Sequence, residues 1–134
     1  MILNHNPIFI DPELWGNYYW YVIETIILSM DNKEIYSKES IRLFFYSLQN
    51  ILPCPTCREH FQSYFKKNNI DKYIESKKKM FLWIYQLRKE IQIRNKKPFP
   101  TFDEYLKKID EIPIKYNKKD INLSNNHIEN FTSL

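Results

Sequence analysis

Glycine is almost missing from this chain: Gly16 is the single one in 134 residues. One glycine cannot serve the tight turns of a many-stranded protein or a phosphate-cradling loop, which excludes all-β folds and dinucleotide-binding α/β folds. Cysteine is scarce as well. The chain has two, Cys54 and Cys57, so there is no second CxxC pair to complete a four-cysteine metal site. A long hydrophobic run is also lacking. The most apolar stretch, YYWYVIETIILSM, is too short to span a bilayer and carries Glu24 inside it, so no membrane association is expected. The opening MILNHNPIFID has no basic region followed by an apolar run. No signal peptide is therefore expected, and the chain reads as a soluble protein of the cytosol. The sequons at Asn122 and Asn130 carry no weight without a secretory route. Charge of one sign does not dominate either: 20 Lys and Arg against 16 Asp and Glu give +4. With no zinc-finger or RNA-binding signature, no nucleic-acid partner is expected.

Apolar residues at helical spacing are abundant. Asp11 reads as an N-cap with Pro12 at the first helical position, followed by a stripe through Trp15, Tyr19, Val22, Ile23, Ile26 and Ile27. DNKEIYS is the expected connection, with Ser37 capping a second helix that carries Ile41, Phe44, Phe45, Leu48, Ile51 and Leu52 and stops at Pro53. A third helix opens at CPTC, buries Phe61, Tyr64 and Phe65, and breaks at KKNN. A fourth begins near Glu75 to Lys79, presents Met80, Trp83, Ile84, Leu87 and Ile91 on one face, and stops near Pro98. TFDEYLKKID adds a short helix. The expected fold is all-α, a compact four-helix bundle with one short extra helix. The domain is expected over 11–110 and a polar, flexible tail over 111–134.

The stretch LPCPTCREHF asks what its two cysteines do. A structural bridge across two intervening residues closes so small a loop that it removes little unfolded-state entropy. Zinc has Cys54, Cys57 and His60 at ligand-like spacing, but a closed site needs a fourth ligand and only His5 and His127 remain. Haem attachment fails because Arg58, not histidine, follows Cys57. Redox chemistry fits best. Cys54 falls at the start of a helix whose N-terminal amides favour a thiolate, the reactive form. Thioredoxin-like enzymes require a strand before the motif, whereas the segment here has helical period.

Three blocks, in order over roughly Leu14 to Pro98, resemble the Erv/ALR family of flavin-linked sulfhydryl oxidases, particularly the small versions encoded by large cytoplasmic DNA viruses. LWGNYYW is similar to the first-helix motif of Gly and then Trp four residues later, here Gly16 and Trp20. LPCPTCREHF is similar to Pro-Cys-x-x-Cys-x-x-His-Phe. WIYQLRKEIQIRNKKP keeps the motif Trp as Trp83 and the terminal Lys-Pro as Lys97 and Pro98. Departures are equally plain. Glu24 stands where the family has His, Asn17 where it has Arg, and Arg88, Lys89 and Gln92 fall where it has His-Asn-x-x-Asn.

The resemblance implies an FAD-dependent thiol oxidase that forms disulfides in protein dithiols and passes electrons to O2, giving hydrogen peroxide. It assigns Cys54 to exchange with substrate and Cys57 to the flavin side. It places Gly16, Trp20, Glu24, Trp83, Arg88, Gln92 and Lys97 at the cofactor, with Arg88 against adenine in place of an imidazole and Lys97 at the pyrophosphate. No metal is expected. It also implies a homodimer through the first helices, a dithiol partner such as a small thioredoxin-like carrier, and location in a host cytoplasm or virion. Two alternatives stand beside it: a flavin-free bundle acting as a binding module, and a CxxC-His structural zinc protein. Without the resemblance, Trp20 and Trp83 are ordinary core residues.

Overall fold

A computed structural model describes residues 8–30 and 35–114. Among them the chain is all-helical, with no strand: α1 Pro12–Ser29, α2 Ile35–Ile51, α3 Pro55–Lys67, α4 Lys77–Arg94 and α5 Phe102–Asp110, with a 3₁₀ turn at Ile70–Lys72. The expected four helices and short fifth are all present. His5, His127 and the two sequons lie outside the described residues, as does the expected tail from residue 115 on.

Short polar side chains and prolines set the helix starts. The Asp11 carboxylate accepts from Glu13 N at 3.0 Å, with Pro12 in the first turn. Ser76 and Thr101 cap α4 and α5 in the same way, through Lys79 N and Glu104 N at 3.1 and 3.2 Å. The start of α2 departs from expectation: the helix already runs at Ile35, so Ser37 is inside it rather than at its cap. The end of α4 is a left-handed turn. Lys96 has φ 56°, and Lys96 N and Lys97 N donate back to Ile93 O and Gln92 O, both at 2.9 Å. That reversal carries Lys97 off the helix axis, where its ammonium meets Glu13 at 3.3 Å.

The core is aromatic. Trp83, 1% exposed, is ringed edge-on by Phe45, Phe61, Tyr64 and Phe65, and its indole N–H donates to Asn68 O at 2.8 Å. The Tyr64 hydroxyl returns a hydrogen bond to Trp83 O at 2.6 Å. This cluster locks α2, α3 and α4 together. α1 packs on α4 through Ile23 and Ile27, and Lys77 reaches from α4 to donate to Leu28 O near the end of α1. α5 closes over α4 with Tyr105, Leu106 and Ile109.

Candidate active site

Pro53 cannot continue α2, and the chain restarts as α3 two residues on. Cys54 becomes the N-cap of α3 and Pro55 its first residue. Cys57 therefore falls one turn inside the helix, with the two Cα atoms 5.1 Å apart, and the pair is joined as a disulfide. Cys57 N donates to Cys54 Sγ at 3.2 Å. Helix amides thus point at a sulfur atom, the arrangement that stabilises a thiolate once the disulfide opens. Arg58 turns away, donating to Leu52 O at 2.6 Å.

Beside the disulfide lies a cavity of about 270 Å³. One wall is a stripe of α1: Pro12, Trp15, Tyr19, Trp20 and Ile23. The α3 wall brings Cys54, Cys57, His60 and Phe61, and α4 supplies Ile91, Arg94 and Asn95. The lining is mainly apolar and aromatic, with both sulfur-bearing residues at one side and a single guanidinium, exposed, at the edge. Burial lowers the proton affinity of His60, and the nearby Arg94 charge adds to this while Glu59 opposes it.

The sequence-expected cofactor residues fall into three groups. Trp20 lines the cavity. Gly16 lies one turn from both Pro12 and Trp20 on the same stripe of α1, and a Cβ built there would meet nothing within 4 Å. Glu24, buried, and Arg88, partly buried, form an ion pair 3.0 Å apart beside Trp20. The guanidinium lies 5.4 Å from the Trp20 ring centre, 5.6 Å from Phe99 and 5.9 Å from Tyr105. Burial raises the Glu24 pKa above its ordinary value, and Arg88 only partly opposes that. Arg88 Nε and the Tyr105 hydroxyl are both buried with no good hydrogen-bond partner. Trp83, Gln92 and Lys97 stand off the cavity wall. Trp83 is two turns of α4 before Ile91, about 12 Å along the axis and inside the core.

Phe9, Thr56, Arg94 and Asn95 line the cavity but are not singled out in the sequence, and Trp15, Tyr19, Ile23, Leu48, Leu52, Phe61 and Ile91 are expected there only as core positions. Arg94 and Asn95 follow Ile91 at three and four residues, and His60 and Phe61 follow Cys57 likewise, so helical spacing was the signal available. Phe9 precedes the first helix and carried no such signal. Among the described residues no group of three or more His, Cys, Asp or Glu side chains comes together to hold a metal ion. No helix among them is long and apolar enough to cross a membrane.

The profile of the Erv1/Alr family matches residues 17–112. The chain belongs to that family. Two relatives are similar over parts of it. A putative FAD-linked sulfhydryl oxidase of Invertebrate iridescent virus 3 is 27% identical over 90 residues, which is 66% of this chain and 61% of the relative. A probable FAD-linked sulfhydryl oxidase of Fowlpox virus is 35% identical over 60 residues, 45% of this chain and 60% of the relative. The chain thus spans about three fifths of the length of these relatives. No solved structure matches it significantly. The matched stretch holds the Cys54–Cys57 disulfide and most of the cavity wall, while Phe9, Pro12 and Trp15 lie before it.

Proposed function

We propose that this chain is an FAD-linked thiol oxidase that makes disulfide bonds in protein dithiols. The observation that carries the proposal is a disulfide at a helix N-terminus, set in the wall of an aromatic cavity. The residues present fit the cofactor. Trp15, Tyr19, Trp20 and Phe61 offer faces and edges to a flat ring system. Arg94 is the cation at the edge of the cavity and takes the part of a diphosphate ligand. Glu24 and Arg88 pair beside Trp20 and hold it in place. FAD bound there supplies a two-electron acceptor for the thiols and a route to O2, with hydrogen peroxide as the product.

The chain's own part is exchange and electrostatics. A substrate thiolate attacks Cys54 Sγ, the Cys54–Cys57 bond breaks, and Cys57 leaves as a thiolate on the cavity side. The second substrate thiol loses its proton and attacks the mixed disulfide, which releases oxidised substrate and the Cys54 thiolate. The first turn of α3 favours negative sulfur at both stages. The fit of Gly16 gives the test. Gly16→Ala clashes with nothing in the protein, so it should stabilise the free chain by about 1 kcal/mol through helix propensity. If the ligand passes over Gly16, the same change should weaken FAD binding by roughly tenfold, a cost of about 1.4 kcal/mol. Unchanged FAD affinity in a stabler Gly16→Ala protein would place the cofactor elsewhere.

A homodimer through α1 belongs to the same proposal. Leu14, Tyr18, Tyr21 and Val22 form one outward stripe, with Tyr18 75% exposed. An apolar stripe of that kind is a liability unless something covers it. Light scattering at micromolar concentration should give twice the chain mass of 16.5 kDa, and Tyr18→Glu with Val22→Glu should halve it. A wild-type monomer would remove the dimer.

A further inference from the structure

The exchange step proposed above requires a substrate thiolate at Cys54 Sγ, yet Cys54 is only 2% exposed, whereas Cys57 is half-buried. The chain passing over this region is the extended stretch before α1. Ile10 N donates to Pro53 O at 3.0 Å, so its backbone is fastened to the residue directly before Cys54. Trp15 Nε1 donates to Ile10 O at 2.8 Å and fastens the same residue from the other side. Phe9 reaches the cavity wall that Cys54 shares.

Among the described residues, these are the hydrogen bonds that hold the backbone of this stretch. Ile8, Phe9 and Ile10 are 50%, 59% and 43% exposed, so each leaves about half of its surface in water. A segment with few buried apolar contacts and two anchoring hydrogen bonds opens at lower cost than the helices it lies against.

We propose that residues 8–10 form a strap that closes Cys54 in the resting disulfide and swings away to admit the substrate, so that strap opening governs which dithiols reach this sulfur. The inference rests on the reading of Cys54 as the attacked sulfur, but its consequence for access to Cys54 can be measured separately. Ile8, Phe9 and Ile10 are all apolar, so a substrate cysteine flanked by apolar residues can replace the contacts that opening breaks. The redox balance is that of the exchange step: one S–S bond is made to substrate, the Cys54–Cys57 bond is broken, and the electron pair stays on Cys57.

The test uses the full chain in two backgrounds. In Cys57→Ser, the rate of Cys54 alkylation by iodoacetamide should be slow and should rise about tenfold with Ile10→Pro, which deletes the donor to Pro53 O, and severalfold with Trp15→Phe, which deletes the donor to Ile10 O. In Cys54→Ser, Ile10→Pro should leave the rate at Cys57 within twofold. Trp15→Phe keeps an aromatic ring in the wall, and Ile10→Pro lies outside every helix, so at least one variant retains the fold. Unchanged Cys54 rates in both variants, or equal acceleration at both cysteines, would overturn the strap. A mixed disulfide with a dithiol peptide that forms on Cys57 instead, while the alkylation result holds, would overturn the exchange assignment and leave the strap standing.

Discussion

Cys57→Ser will reduce dithiol-dependent oxygen consumption by roughly a thousandfold or more, because no leaving thiolate remains and a mixed disulfide on Cys54 cannot be resolved inward. Cys54→Ser will fall to a similar level for protein dithiols, since it deletes the sulfur that substrate attacks. Removing both should cost little more than removing either, as expected for two groups that act as one unit. Neither change should unfold the protein. The bridge closes a loop with only two residues between its ends, so it adds little to stability, and the core around Trp83 does not depend on it. Oxygen-electrode rates with dithiothreitol, set beside thermal melts of the same proteins, separate lost chemistry from lost fold. A single mutant that kept wild-type oxygen uptake would refute the assignment.

The second large effect belongs to the ion pair beside Trp20. Arg88→Met should destabilise the protein by about 3–5 kcal/mol at neutral pH, because it leaves the Glu24 carboxylate buried without its counter-charge. The effect should depend on pH with a definite sign. Glu24 has a folded-state pKa raised above the ordinary 4.5, chiefly by burial. The folded protein therefore holds the Glu24 proton more tightly than the unfolded chain. Its contribution to stability is fully present below the unfolded value and is lost as pH rises through the folded one. Removing Arg88 takes away the one influence that lowers the Glu24 pKa, so it widens that window upward. Denaturation midpoints should therefore show Arg88→Met near wild type at about pH 4, where Glu24 is neutral in both, and far below it at pH 8. A penalty independent of pH would mean that Arg88 matters through packing on Trp20, Phe99 and Tyr105 rather than through charge.

Much of this architecture was legible because its signals are local. Asp11 before Pro12, and Cys54 before Pro55, mark helix starts by chemistry acting within three residues. The Trp83 and Phe45 stripes announced buried faces through spacing alone. The start of α2 was misjudged because Ser37 has the right chemistry for a cap, yet the helix already extends through it. The cavity was only partly legible. Trp20 and the cysteines carry motif-like neighbours, whereas Arg94 and Asn95 are ordinary surface types that meet the disulfide only after α3 and α4 pack. Lys97 was expected at the pyrophosphate from its Lys-Pro motif, and Arg94 was not. The left-handed turn at Lys96 sends the Lys97 side chain to Glu13 instead, and one backbone angle is not visible in composition or period. Glu24 could be named as an odd residue in an apolar stretch and Arg88 as a departure from the family motif, but 64 residues apart they could not be read as each other's partner.

Electrons from the Cys54–Cys57 pair should reach a flavin held in the adjoining cavity, and an anaerobic titration of the purified, FAD-loaded chain with dithiothreitol, followed by visible absorption, reads this out. The flavin band should be present after gel filtration and bleach with about one equivalent of dithiol beyond that needed to open the disulfide, and admitting air should restore it. In Cys57→Ser the band should remain through the same titration. A chain that retains no FAD, or a flavin that bleaches equally fast without Cys57, would contradict the account.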